Sequence, residues 1–280
     1  MKSAMNKVFL ITGASAGLGR AFAEAALDAG HTVVGTVRRE DDRIGFEALH
    51  ATRAKAVIVD LARLDDLGSI IYEVEEEVGP IDVLVNNAGY GHEGTLEESP
   101  MAELVHQFEV NVFGAVALIK AVLPGMRKRR SGHIVNITSM AGHMSMPGIS
   151  FYSGSKFALE GITEALAKEV KALGIKVTAI APGSFRTEWA GRSMVRSERH
   201  IPDYDAVFDP VRERRREYSG KQAGDPRKAA RVLLKIVESA DPPTHLLLGN
   251  DALKLVKDRI SALSEEIEVW EAISRSTDFA

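Results

Sequence analysis

The sequence predicts an α/β fold: a doubly wound, seven-stranded parallel sheet with helices on both faces, in one domain. Three observations carry this. Short β-branched runs alternate with longer segments of helical period. A length of 280 residues with 45% hydrophobic content suffices for a single full core. A glycine-rich turn also follows the first strand and opens the first helix.

The strands are predicted over 7–11, 32–37, 55–59, 82–85, 132–137, 175–180 and 244–248. Between them, Leu18, Phe22, Ala25, Ala26 and Ala29 mark one helical face, and Leu104, Phe108, Ala115, Leu118 and Val122 mark another. Sheets of this kind bind ligands at the carboxyl ends of their strands. The loops starting near 12, 37, 60, 86, 138 and 181 should therefore converge on one cleft. Residues 184–224 break the rhythm. Asp225, with Pro226 behind it, opens the following helix; Asp209-Pro210 repeats that start signal and Gly220 gives a stop, predicting a short helix inside the insertion. So long an excursion at the cleft mouth reads as a substrate-binding lid, with a plain surface loop as the alternative. Residues 250–280 read as an acidic helical extension with no assignable task.

A formal charge of −4 gives no general attraction to nucleic acid or anionic lipid, so neither is expected as a partner. Two basic runs are local exceptions. Arg127 to Arg130 ends a helix, where cations suit the dipole, and Arg212 to Glu217 mixes signs as a solvated helix face does. Cysteine is absent, which excludes disulfides, thiolate metal sites and a cysteine nucleophile. The longest apolar stretches read as strand-sized, and the N-terminus lacks a signal-peptide pattern. The expectation is a soluble, unprocessed, cytoplasmic chain. His92, His106, His133 and His143 show no close ligand spacing, so no metal is implied.

The turn Thr12-Gly13-Ala14-Ser15-Ala16-Gly17-Leu18-Gly19 lies between strand and helix, the setting a dinucleotide fingerprint requires in a Rossmann-like sheet. Gly13 can make the tight turn, Gly17 lets backbone approach a pyrophosphate, and Gly19 lets helix and strand pack closely. The second strand ends in Val37-Arg38-Arg39, where an NAD site places an acid for the ribose hydroxyl. Arginine there suits a 2′-phosphate instead, so NADP(H) is favoured over NAD(H), with Ser15 as a further donor; an exposed arginine pair is the alternative. Asp60 either accepts from an adenine amino group or caps the next helix.

Ser139 ends the fifth strand, Tyr152 follows 13 residues later, and Lys156 stands one helical turn beyond it. On a helix the ammonium can then sit near the phenol and favour its ionised form. Ser139 would hold a substrate oxygen against that phenol for proton transfer.

The ordered set Thr12-Gly-x-x-x-Gly-x-Gly19, Asn86-Asn87-Ala88-Gly89, Asn111, Ser139, Tyr152-x-x-x-Lys156 and Pro182-Gly183 resembles the classical short-chain dehydrogenase/reductase family. The resemblance covers residues 6–187 and, more loosely, extends to 249. It implies an oxidoreductase moving hydride between a nicotinamide cofactor and a carbonyl or alcohol. Asn111, Ser139, Tyr152 and Lys156 become the catalytic tetrad, with Asn111 holding a water that links Lys156 to a proton relay. The cofactor would lie along Gly13, Ser15, Gly17, Leu18 and Gly19, then Arg38, Asp60 and Leu61. It would continue past Asn87, Ala88 and Gly89 to Tyr152, Lys156, Pro182, Gly183 and Thr187. Relatives pair the helices near 100–126 and 151–173 across subunits, so a homo-oligomer is expected. Met140, His143, Met144 and Met146, with Phe185, Trp189, Met194, Tyr204 and Phe208, suggest a mainly apolar substrate pocket. A non-catalytic dinucleotide-binding sensor or scaffold is the rival, and an epimerase of the extended relatives needs a larger substrate domain.

Overall fold

The computed structural model describes residues 6–191 and 193–279. The elements run β1 (Val8–Ile11), α1 (Gly17–Asp28), β2 (Thr32–Val37), α2 (Glu40–Glu47), β3 (Ala54–Ile58), α3 (Leu67–Val78), β4 (Val83–Asn86) and β5 (Gly91–Glu93). After these come α4 (Met101–Phe108), α5 (Gly114–Arg129), β6 (Gly132–Ile137), α6 (Ser150–Val170), β7 (Ile175–Pro182) and β8 (Met194–Arg196). The chain closes with α7 (Asp205–Tyr218), α8 (Pro226–Glu238), β9 (His245–Leu248) and α9 (Asn250–Arg275).

Seven strands form one parallel sheet in the order β3-β2-β1-β4-β6-β7-β9. Each predicted strand is one of these seven; the Val, Ile and Leu runs of the central strands are buried on both faces as a covered parallel sheet demands, while the edge strands β3 and β9 are partly exposed. One face carries α1 and α8, with Phe9, Phe22, Val33, Phe46 and Leu233 in a common core. The other carries α3, α5 and α6 over Leu10, Leu84, Leu118, Val122 and Ile134. The order of strands reverses between β1 and β4, which opens the crevice there.

The sequence missed a second sheet: β5 and β8 pair in parallel, Gly91 with Met194 through Glu93 with Arg196, and tie the 184–224 segment to the body. Three-residue strands leave no readable periodicity. The apolar stretches do not all match the expected strand size either: Met101–Arg129 is one helical run with a window hydropathy of 1.5. It is long and apolar enough to cross a membrane by that measure, yet it lays Leu118, Ile119, Val122 and Met126 into the core. The helix predicted to open at Asp209-Pro210 begins earlier, at Asp205, and carries Pro210 inside it. Asp205 and Asp209 both pair with Arg199, and Phe208 is buried beside Gly148, so tertiary contacts set that boundary. Asp225 caps α8 as expected, accepting from the Arg227 N–H at 2.8 Å.

His133 in β6 is buried, with Nε2 3.0 Å from the Thr178 hydroxyl, and burial pushes its pKa down to about 4. Below about 6.5 the unfolded chain binds a proton that the folded chain refuses. Stability should hold above pH 6.5 and fall by on the order of 3 kcal/mol as pH drops to about 4. Urea melts across that window check this, and His133→Gln should flatten the slope.

Candidate active site

At the crevice, the glycine turn is held by the ends of three strands. The Thr12 hydroxyl accepts from the Asn87 and Ala88 N–H groups, both at 2.9 Å. The Asn87 amide donates back to the Thr12 and Gly13 carbonyls at 2.8 and 3.2 Å, and the Gly13 N–H reaches the Thr36 hydroxyl at 3.1 Å. Gly13 and Gly17 take φ of 65° and 60°, left-handed values that a side chain would strain. No side chain caps α1 at Ala16, so its first N–H groups remain as donors at the positive end of the helix. That cradle fits a pyrophosphate. Ser15 is exposed on the turn, while Leu18 packs partly into the core.

Arg38 is exposed at the end of β2 and forms no ion pair among the described residues, whereas Arg39 is committed to Asp42 at 2.9 and 3.0 Å. The free cation fits a 2′-phosphate. Asp60 accepts from the Ala62 N–H at 3.0 Å, which closes a local turn, and it does not cap the next helix, whose cap position is Arg63. Leu61 buries its side chain in the core beside Gly114.

Asn111, Ser139, Tyr152 and Lys156 are all buried and come together at this edge. Asn111 lies in a widened turn, Glu109–Phe113, between α4 and α5, a helical irregularity that re-aims a side chain. Its amide grips the Tyr90 backbone, accepting from N–H and donating to C=O, both at 3.1 Å. A methyl group on Gly89 would sit 3.0 Å from Asn111 Oδ1 and 3.7 Å from Lys156 Nζ, so these two side chains flank one glycine. Ser139 Oγ accepts from the Ala141 N–H at 3.0 Å.

Lys156 lies near Tyr152, as their spacing predicts, with its ammonium held by backbone. Its Nζ donates to the Ile137 carbonyl at 2.9 Å and stands 5.8 Å from the phenol ring centre. Burial pushes Tyr152 up to about 12, opposed by the Ser139 hydroxyl and by the Trp189 N–H, which approaches without true hydrogen-bond geometry. Burial likewise pushes Lys156 down to about 8, against the attraction of Glu160.

The start of the segment after β7 reaches these groups. Trp189 packs on Tyr152 with ring centres 5.1 Å apart, joined by Met146, and Met194 abuts Gly91. Met140 and Met144 are half-buried nearby in sequence. Thr187 stands over Gly17, and its hydroxyl accepts from the backbone N–H of Trp189 at 3.4 Å, so it also caps a short turn. Two pocket candidates are corrected: Phe185 packs into the core against Gly224, and the Tyr204 hydroxyl turns to Glu97 at 2.5 Å. The run at 212–217 is likewise more than a solvated face. Arg212 and Arg215 reach from α7 to the buried Glu93 carboxylate at 3.4 and 3.2 Å, with Arg196 at 3.2 Å, because an unpaired buried acid would be costly.

A family model described as short chain dehydrogenase matches residues 7–196. The chain belongs to this family. Among its relatives, the oxidoreductase BOA17 of Botryotinia fuckeliana is 36% identical over 271 residues, 96% of this chain and 98% of that one. A short-chain dehydrogenase from Streptomyces avermitilis superposes with a TM-score of 0.92 at 41% identity, covering 98% of this chain and 99% of the other. A short chain dehydrogenase/reductase from Burkholderia phymatum, solved with NAD, gives 0.82 at 26% identity over 95% and 97%.

In this short-chain dehydrogenase, sequence reasoning missed Asp251. The first turn of α9 places its carboxylate on the Ser184 N–H at 2.7 Å, against Gly183, where an added methyl would lie 2.2 Å from Oδ1. The C-terminal helix thereby steadies the Pro182-Gly183 loop. His143, Glu160 and His245 also converge, their ligand atoms lying within 4.8 Å of one another. His245 Nδ1 meets Glu160 at 2.7 Å, a hydrogen bond, since two donors on a tetrahedral zinc lie about 3.3 Å apart. Their separation in sequence left no signal to find them.

Proposed function

We propose that this short-chain dehydrogenase moves hydride between NADP(H) and the carbonyl or secondary alcohol of a small, mainly apolar substrate, with Tyr152 as general acid and base. One observation carries the reading: Tyr152, Ser139, Lys156 and Asn111 are buried together where the glycine turn presents uncapped N–H donors. When bound, the dinucleotide supplies or accepts the hydride. In reduction, Tyr152 gives its proton to the substrate oxygen, and a phenol held near 12 keeps that proton at neutral pH. Ser139 donates to the same oxygen and fixes its position. Lys156, beside Asn111 at Gly89, holds the nicotinamide ribose and returns a proton toward Tyr152 through a relay whose water Asn111 holds. In oxidation the same groups run in reverse, and the phenolate then needs the positive charge of Lys156. Residues 184–224 act as a lid, and Trp189 must leave the Tyr152 ring for substrate to reach it.

The cofactor preference rests on Arg38. Charge-assisted hydrogen bonds contribute on the order of 1.5–3 kcal/mol, so Arg38→Ala should raise the KM for NADPH by about 10- to 100-fold and leave that for NADH nearly unchanged. Paired assays with both cofactors over a panel of steroid, aromatic and aliphatic carbonyls measure this. A wild-type preference for NADH, or equal loss with both, would remove the assignment.

A further inference from the structure

The long C-terminal helix leaves the body after one apolar contact patch and continues into solvent. Ala252 and Val256 of α9 are buried, Val256 to 2%, while every described residue from Lys257 to Phe279 is exposed. The part from Lys257 to Arg275 extends roughly 28 Å at 1.5 Å per residue. A helix this long gains little stability alone in water unless an apolar face is covered.

Such a face is present. Val256, Ile260, Leu263, Ile267 and Trp270 alternate at spacings of four and three, which holds them on one stripe continuous with the patch that packs on the body. Ile260, Ile267 and Trp270 are 61%, 60% and 55% exposed, and Leu263 is exposed as well. Charge along the arm is segregated. Lys254, Lys257 and Arg259 stand near its base, whereas Glu265, Glu266, Glu268 and Glu271 crowd its outer half. Lys257, Arg259 and Glu266 form no ion pair among the described residues, and the pairs present, Lys254 with Asp258 and Glu271 with Arg275, run along the helix.

We propose that α9 is a dimerisation arm that pairs antiparallel with α9 of a second copy of this chain. A two-fold axis near Glu265 sets Ile260 across from Trp270 and Leu263 across from Ile267, closing the stripe on itself as an isologous interface. The same arrangement brings Lys257 of each arm alongside Glu271 of the partner subunit, while Glu265 and Glu266 lie at the axis. Parallel pairing would stack like charges over the same length, which is unfavourable. Acids outnumber bases on the arm, so an anionic lipid surface is a poorer match than a second copy.

Light scattering and sedimentation on the full chain test the arm. Leu263→Glu with Ile267→Glu should halve the mass of the particle, with unchanged circular dichroism of the body because both positions are exposed. Lys257→Glu should also shift the particle toward half its mass, and adding Glu271→Lys in the same chain should restore it. The chain has no cysteine, so orientation can be read separately. Oxidising a mixture of Ile260→Cys and Trp270→Cys chains should give mainly the mixed disulfide. A mass unaffected by the glutamates, or Ile260→Cys chains that link chiefly to each other, overturns the proposal.

Discussion

Tyr152→Phe is expected to lower kcat by about 10³- to 10⁴-fold for both reduction and oxidation, while NADPH still binds. The substitution removes one oxygen from a buried ring that Trp189 and Met146 pack against, so the fold and the apolar contacts persist. What disappears is the phenol hydroxyl held beside both Ser139 and the Lys156 turn of α6. Hydride can then reach carbon only if the developing oxyanion finds its proton elsewhere, and a serine hydroxyl, with a pKa far above that of a phenol, can hydrogen-bond that oxygen but is a poor proton donor to it. The measurement is nicotinamide absorbance under single-turnover conditions, alongside fluorescence titration of NADPH. Turnover at the wild-type rate would sink the mechanism and restore the reading of a dinucleotide-binding sensor that does no chemistry.

The second large effect belongs to the glycine turn. Gly19→Ala should destabilise the protein by about 1–3 kcal/mol and weaken NADPH binding at least tenfold. The added methyl would lie 2.4 Å from the Gly13 carbonyl and 2.5 Å from the Asn87 amide nitrogen. Both are fixed by the hydrogen bonds that join β1 to β4, so the start of α1 must move away and carry its free N–H donors with it. Gly45 supplies the control. It lies inside α2, where an added methyl would have nothing within 4 Å, so Gly45→Ala should stabilise by roughly 0.5–1 kcal/mol and leave cofactor affinity alone. Denaturant melts and binding titrations on the two variants separate a local effect on the cradle from a general one; equal Kd values for both would argue against the turn as the phosphate site.

How much was legible in advance follows from how local each signal is. Strand runs, the turn Thr12 to Gly19, the spacing of Tyr152 and Lys156, and the Asp225 cap are written in neighbouring residues, where periodicity and backbone conformation act directly. They located the sheet and the cleft. The upward shift of the tyrosine pKa was not readable, because it depends on burial in the folded chain and on Ser139 and Trp189 beside the phenol. Glu93 gathering Arg196, Arg212 and Arg215, or Glu160 meeting His143 and His245, joins side chains distant in sequence. Asp251 behind Gly183 and the start of α7 at Asp205 are of the same kind. The sequence by itself determined the fold class, the family and which side chains gather at the cleft. Only the tertiary structure decided how they are charged, covered and braced, because desolvation and ion pairing depend on what the folded chain brings alongside each group.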